Sequence, residues 1–435
     1  MKLKGILVLL GLFLACNMPF VGTVPSAEGA VDAKTVERLE NLIKAQQQQL
    51  EMLQQEVAEL KKTATDAQTQ ARSAKAVADE MKTASLDPVK KAVTSGSERV
   101  KLAVSGQINR AMNIVDDGDD TEAYFVDSDA SNSKFRLVGT AKIDEDLTLG
   151  TRLELAVAPN ESGDVNQNDA ESGDFFDQRY ADISLSSKRF GKLYLGKGDT
   201  ASNNTAEVDL SGTDIIQYAS IADIVGGMFF VESDSNDLAG ITISDAFKDF
   251  DGLSRKSRLR YDTPSLKGAS LAASWISDKR WDAALRWSGQ GYGFKAGAAA
   301  AVAYINTEKN GEDSDYQYDG SFSILHEDTG LNFTFSAGKQ EVDSQDDPAN
   351  VWAKIGWRTD LIAAGKTSFG IDYGWSDNLT TEDDDGNSFG VAAIQSFDDY
   401  GTEIYAQFRN FSLDRDVEPD LEDLNVFTVG TRVNF

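Results

Sequence analysis

Cysteine, histidine, proline and long apolar runs are all scarce in this chain. Its one cysteine, Cys16, lies near the N-terminus, so no disulfide framework holds the fold. Its one histidine, His326, gives no basis for a Ser/His/Asp arrangement, and no metal-ligand spacing or phosphate-cradling glycine loop is present. No enzyme, cofactor or resident metal is expected. Seven prolines in 435 residues leave long stretches free to run as strands. Beyond the first 20 residues no apolar run approaches the ~18 residues that a membrane helix needs. Mean hydropathy is −0.36. A helical membrane protein is excluded. A transmembrane barrel is not, because it hides its apolar surface in alternation.

Negative charge is abundant. The net is −29; residues 1–30 contribute +1 and residues 31–99 contribute nothing, which leaves −30 on 100–435. Such a field repels nucleic acid and attracts cations. The acids cluster, at Asp116, Asp117, Asp119 and Asp120 and again at Asp383, Asp384 and Asp385. These clusters do not follow the twelve-residue calcium-loop pattern, so only loosely bound divalent cations are expected there.

The N-terminus reads as a signal peptide over 1–30. Lys2 and Lys4 precede the apolar stretch Gly5–Ala15, with cleavage expected between Ala27 and Ala33. A rival reading makes Cys16 an acylation site, although Phe13-Leu14-Ala15 fits a lipobox poorly. Residues 31–84 are expected as a stalk, and 34–84 carry a heptad. Val36, Ile43, Leu50 and Val57 stand at a; Leu39, Gln46, Leu53 and Leu60 stand at d; Ala64, Ala67, Ala71, Ala74, Ala78 and Met81 continue the phase. This predicts a coiled coil with Gln46 as a polar layer, about 75 Å long at 1.5 Å per residue. Pro88 ends it, and 85–99 is expected as a linker.

From Val100 the period changes to two. Strands are expected near 100–115, 133–144, 146–158, 177–187, 190–200, 255–264, 268–278, 280–289, 291–305, 316–327, 330–340, 350–359, 366–377, 387–397, 400–413 and 423–435. In the last of them Phe427, Val429, Thr431, Val433 and Phe435 share one face, while Thr428, Gly430, Arg432 and Asn434 share the other. The ninth places Tyr292 and Tyr304 at the ends of an apolar face, as two membrane interfaces would require. Connections alternate in length. Tight ones, such as Asp144-Glu145-Asp146, Lys188-Arg189 and Asp398-Asp399, follow even strands. Long acidic ones follow odd strands, with one short exception near Asp278. The expected fold class is all-β: a sixteen-stranded antiparallel transmembrane β-barrel over 100–435, preceded by an N-terminal α-helical coiled coil.

Residues 100–435 resemble the trimeric porins of Gram-negative outer membranes. The match is carried by Val104-Ser105-Gly106-Gln107-Ile108-Asn109-Arg110, by Asp127–Leu155, by Arg179–Asp199 and by Arg260-Tyr261-Asp262-Thr263-Pro264 with Gly268. Phe435 resembles the terminal aromatic residue that serves such barrels as an insertion signal. The stalk departs from general porins and looks more like the coiled coil of some substrate-preferring ones. The resemblance implies a homotrimer in the outer membrane, set in lipid and lipopolysaccharide and inserted by the barrel-assembly machinery. The stalk would stand in the periplasm, where peptidoglycan is within its reach.

The resemblance further implies a third long loop folded into the lumen. Here that is 201–254, the longest connection. Its acids Glu207, Asp209, Asp214 and Asp223 would face a basic wall of Lys134, Arg136, Arg152, Arg179, Arg258 and Arg260. Strand parity puts most of these bases on the polar face. Arg179 has lipid parity but matches the family pattern Arg-x-Ala-x-Ile-x-Leu, which suggests a lumenal arginine near a bulge. A cation on the lipid face at mid-membrane would cost ~2–4 kcal/mol. The expected function is a water-filled channel for passive diffusion of ions and small hydrophilic solutes, mildly cation-selective. The alternatives are a porin preferring anions or carboxylates, and a tether between outer membrane and cell wall. Gly293, Gly297, Gly370 and Gly374 are expected to leave the interior open.

Overall fold

A computed structural model describes residues 93–435 except 98, 172–175, 278, 306–315, 343–345 and 418. The expected signal peptide, the coiled coil and the first part of the linker lie outside the described residues.

Twenty strands are present among the described residues. They are β1 (Val93–Gly96), β2 (Val100–Asp116), β3 (Thr121–Asp127), β4 (Lys134–Lys142), β5 (Leu147–Ala156), β6 (Asp177–Ser187) and β7 (Gly191–Asp199). Next come β8 (Phe229–Val231), β9 (Leu238–Thr242), β10 (Arg255–Asp262), β11 (Ala269–Ile276), β12 (Trp281–Gly291) and β13 (Phe294–Tyr304). The last are β14 (Tyr316–His326), β15 (Leu331–Gln340), β16 (Ala349–Ile362), β17 (Gly365–Asp377), β18 (Asp385–Phe397), β19 (Thr402–Asp414) and β20 (Leu424–Asn434). Sixteen of them, all but β1, β3, β8 and β9, form a closed antiparallel barrel. Each expected strand has its counterpart, displaced by a few residues at most.

Closure comes from β2. One edge pairs with β20, from Gln107↔Asn434 to Asp116↔Asn425. The other edge pairs with β4 in its first half and with β3 in its second. Both chain ends of the barrel therefore sit at the rim with the tight turns. Below the β20 contact, β1 takes up the same edge of β2, from Val93↔Val104 to Gly96↔Lys101. The expected linker is thus partly strand.

Alternation governs packing. In β20, Phe427, Val429 and Val433 are exposed outward, while Leu424, Val426 and Thr428 are buried inward. Exposed tryptophan and tyrosine side chains all fall between Tyr261 and Tyr400. Of their large hydrophobic side chains, the outward faces of β2 and β4–β7 expose aliphatic residues and phenylalanine, including Leu102, Leu149, Ile183 and Leu195, and neither tryptophan nor tyrosine. Girdle residues cluster on β12–β14, where the rings of Trp281, Tyr304 and Tyr316 pack with centroids 5.4–6.4 Å apart. His326 lies in this outer layer beside a tight turn, 4.7 Å from the Phe294 ring and bonded to Thr329.

Candidate functional site

The connection from β7 to β10 folds inward and runs along the barrel wall. Its backbone is held by lumen-facing side chains, strand after strand. The N–H of Ala201 donates to Ser274 of β11, and that of Ser202 to Asp282 of β12. Val208 and Leu210 donate to Ser321 and Ser323 of β14. Gln217 donates to the Gly370 carbonyl of β17, and Asn113 of β2 donates to the Ile224 carbonyl. An apolar core then forms inside the barrel, where Ile216, Ile221, Ile224, Met228, Phe230 and Phe247 meet Trp352, Ile394, Tyr405 and Phe411 of the wall. The β8–β9 hairpin rises from this core and pairs with the last long loop at Glu232↔Leu421.

Small wall residues make room for this loop. A Cβ on Gly297 would lie 3.0 Å from Val208, and one on Gly374 would lie 2.9 Å from Ile221. At Gly370 it would collide with the Gln217 side chain, and at Gly338 it would meet Phe250 at 2.7 Å. The lumenal glycines Gly297, Gly370 and Gly374 therefore seat the loop rather than hold the interior open. Gly293 serves a tight turn instead, at φ +80°.

The wall left uncovered is β4–β7 and β10, and it carries an arginine lattice. Arg136 pairs with Glu154. Arg179 reaches the other oxygen of Glu154 at 3.0 Å. A bulge in β6 makes this possible: Tyr180 stands opposite Glu154 and Gln178 opposite Leu155, so Arg179 is the extra residue between them. Arg258 donates to Asp182 at 2.8 Å and to the carbonyls of Gly196 and Asp199. Arg152 lies 3.4 Å over the Tyr180 ring, with Asp182 and Asp199 at 3.7 and 3.8 Å. Arg260 forks onto Asp262 at 2.7 and 3.0 Å. Lys134 is half-buried near Glu154. Two further arginines join the lattice unannounced by the sequence reading. Arg255 contacts Tyr180 and Asp199, and Arg286 of β12 donates to the Asn203 carbonyl at 2.7 Å.

The loop acids divide by orientation. Glu207 is half-buried beside other carboxylates; desolvation and the charge of Asp251 raise its pKa well above the usual range. Asp223 accepts bonds from Tyr218 and Ser220, and burial raises it too, against the pull of Arg179 and Arg255. Asp214 is exposed. Asp209 faces the other way. Its carboxylate meets Lys354 of β16 at 2.5 Å, with side-chain exposures of 4% and 0%. That corrects its expected place opposite the basic wall: it anchors the loop to the far wall. Two acids near the loop's end complete the set. Burial and Asp251 push Asp249 up to about 7, and burial raises Asp251 to about 6, although it accepts the N–H groups of Asn204 and Ala206.

A family model described as Gram-negative porin matches residues 70–416. The chain belongs to that family. No curated protein matches this porin in sequence. Among solved structures it is similar to OmpT of Vibrio cholerae folded in vitro, with 13% identity, TM-score 0.52, and coverage of 79% of this chain and 99% of that one. An anion-selective porin from Comamonas acidovorans gives 14% identity and TM-score 0.51, covering 77% and 100%. OmpF of Salmonella typhi in complex with daunomycin gives 12% identity and TM-score 0.50, covering 79% and 100%. At these identities the likeness shows the fold alone. Family and fold together make the chain an outer-membrane porin channel.

The acid clusters of this porin are partly spent on internal bonds. Asp117 accepts from Asp119, Asp120 and Gln167, and Asp384 is bonded to Thr380 and Arg415. Among the described residues no group of three or more acidic, histidine or cysteine side chains is placed to hold a metal.

Proposed function

We propose that this porin passes ions and small hydrophilic solutes by diffusion through an aperture bounded by loop 201–254 and the arginine lattice, with mild cation selectivity. The observation that carries this reading is the division of charge. Arginines stand on β4, β5, β6 and β10, Glu207, Asp223, Asp249 and Asp251 stand on the loop, and the −30 of residues 100–435 surrounds them. Glu154, Asp182, Asp199 and Asp262 offset four of the seven lattice arginines, and the larger negative charge of residues 100–435 outweighs the remainder at the mouth and sets the sign. A transverse field of this kind orders water and favours dipolar solutes. Reversal potentials across a planar bilayer in a salt gradient test it. A cation preference that weakens as salt screens the loops is expected; firm anion selectivity at low salt contradicts it.

A second reading, a porin preferring anions or carboxylates, draws support from the arginine lattice itself and from the anion-selective structural neighbour. The homotrimer belongs with the first reading. The sector β2–β7 exposes neither tryptophan nor tyrosine, unlike the girdled remainder, which favours burial of that sector against partner subunits rather than lipid. The stalk would stand in the periplasm and reinforce the trimer. Loss of trimer stability on deleting residues 34–84 tests that role.

A further inference from the structure

The root of the constriction loop crosses β14, β15 and β16 where three lumen-facing residues form one cross-strand row, Asp319↔Gly338↔Asn350. The middle residue has no side chain, so its neighbours can lean over it from both sides. Asp249 and Phe250 of the loop lie directly above. The Asn350 Oδ1 and the Asp249 carbonyl oxygen both fall within 3 Å of the point a Gly338 Cβ would take, at 2.8 and 2.9 Å. The side-chain oxygens here are buried without donors. Asp249 Oδ2, Asp319 Oδ2 and Asn350 Oδ1 have no hydrogen-bond partner, and their residues are 9%, 6% and 6% exposed. Thr205 satisfies only the other Asp319 oxygen.

Buried acceptors of this kind call for a positive centre. Lys248, next to Asp249 in sequence, lies over the Phe250 ring at 5.5 Å. Arg286 bonds to Asn203, and Lys354 is taken by Asp209. We infer that this pocket binds a small hard cation of the calcium class, held by Asp249, Asp319 and Asn350, and that the cation fastens the loop's root to β14 and β16. Two carboxylates, an amide oxygen and a main-chain carbonyl are the all-oxygen donors such ions take, with water completing the shell. The site is separate from the acid clusters at 116–120 and 383–385. Its burial behind the loop admits an ion and not an organic solute.

The test uses the full chain in detergent, with calcium chloride against chelator, for the native sequence, Asp319→Asn and Asn350→Asp. Unfolding midpoints and calcorimetric titration with calcium are read together. Calcium should raise the native midpoint by several degrees with one saturable site per chain. Asp319→Asn should lose that site while keeping the loose binding of the surface acids. Asn350→Asp, which adds a third carboxylate, should bind calcium more tightly. An identical calcium response in all three forms would assign the effect to the surface and overturn the inference. No calcium response in any form, with stabilisation by acid instead, would show that a proton fills the pocket and would overturn it equally. If Asp319→Asn fails to fold, an unchanged affinity in Asn350→Asp is decisive against it.

Discussion

Gly106 and Phe435 exchange both of their backbone hydrogen bonds, at 2.9 and 3.0 Å, and the Phe435 ring lies 2.6 Å from where a Gly106 Cβ would stand. The last residue of the chain thus closes the barrel on a glycine of its first strand. Half of the Phe435 surface remains outward, at 50% exposure. Gly106→Val should therefore impair closure, cutting the yield of folded, heat-modifiable barrel severalfold on unheated gels. Ala103→Val, on the same strand below the β20 contact, should have little effect.

Lys354 and Asp209 form a buried pair, and removing one partner of such a pair costs about 3–5 kcal/mol because the other charge is left uncompensated. Asp209→Asn should lower the unfolding midpoint and make single-channel current noisier as the loop loosens. Replacing both, with Lys354→Met, should recover much of the stability. An Asp209→Asn channel as quiet as the native one would show that the pair is not the loop's anchor.

The glycine row offers a steric lever. Valine at Gly297 or Gly374 must displace Val208 or Ile221, because the available gap is already 3.0 or 2.9 Å at the Cβ. Either substitution should shift the loop away from the wall and change conductance while the barrel still folds. Conductance at the native value in both would mean that the wall yields instead.

Acid should weaken cation preference. In chelator, Asp249 and Asp251, raised to about 7 and about 6, lose their charge between pH 8 and pH 5. The permeability ratio should move toward anions across that range. Carboxyls raised in the folded state favour folding most below about pH 4, and that contribution is lost progressively as pH rises through the raised values of about 6 and about 7. The loop should be held more firmly at pH 5 than at pH 8, measurable as slower proteolysis within 201–254. A permeability ratio unchanged over this range would remove these two acids from the aperture's field.

The barrel was legible because the lumen and the lipid impose a strict period of two, so each wall strand could be read locally from alternation. The bulge at Arg179 was legible because that residue broke parity within a matching pattern. The short strands were not. β3 has only seven residues inside a long connection, and β1 only four. Asp209 was misplaced because its orientation depends on Lys354, 145 residues away, and nothing in the local sequence points there. The glycines misled for the same reason: a missing side chain looks alike whether water or a loop fills the space. Arg286 and Asp249 were reachable in principle. Arg286 shares the lumenal parity of Asp282, and Asp249 belongs to the same acidic loop end as Asp251.

In the proposed channel, loop 201–254 and the arginine lattice bound the conducting aperture. The most direct test exploits the scarcity of cysteine, since Cys16 falls in the expected signal peptide. Glu207→Cys places a single thiol on the loop's lumenal side, and a bulky charged thiol reagent is added during single-channel recording. Stepwise loss of a large fraction of the current is expected, while Asp214→Cys should show a smaller effect. Complete labelling of Glu207→Cys with undiminished current would contradict it.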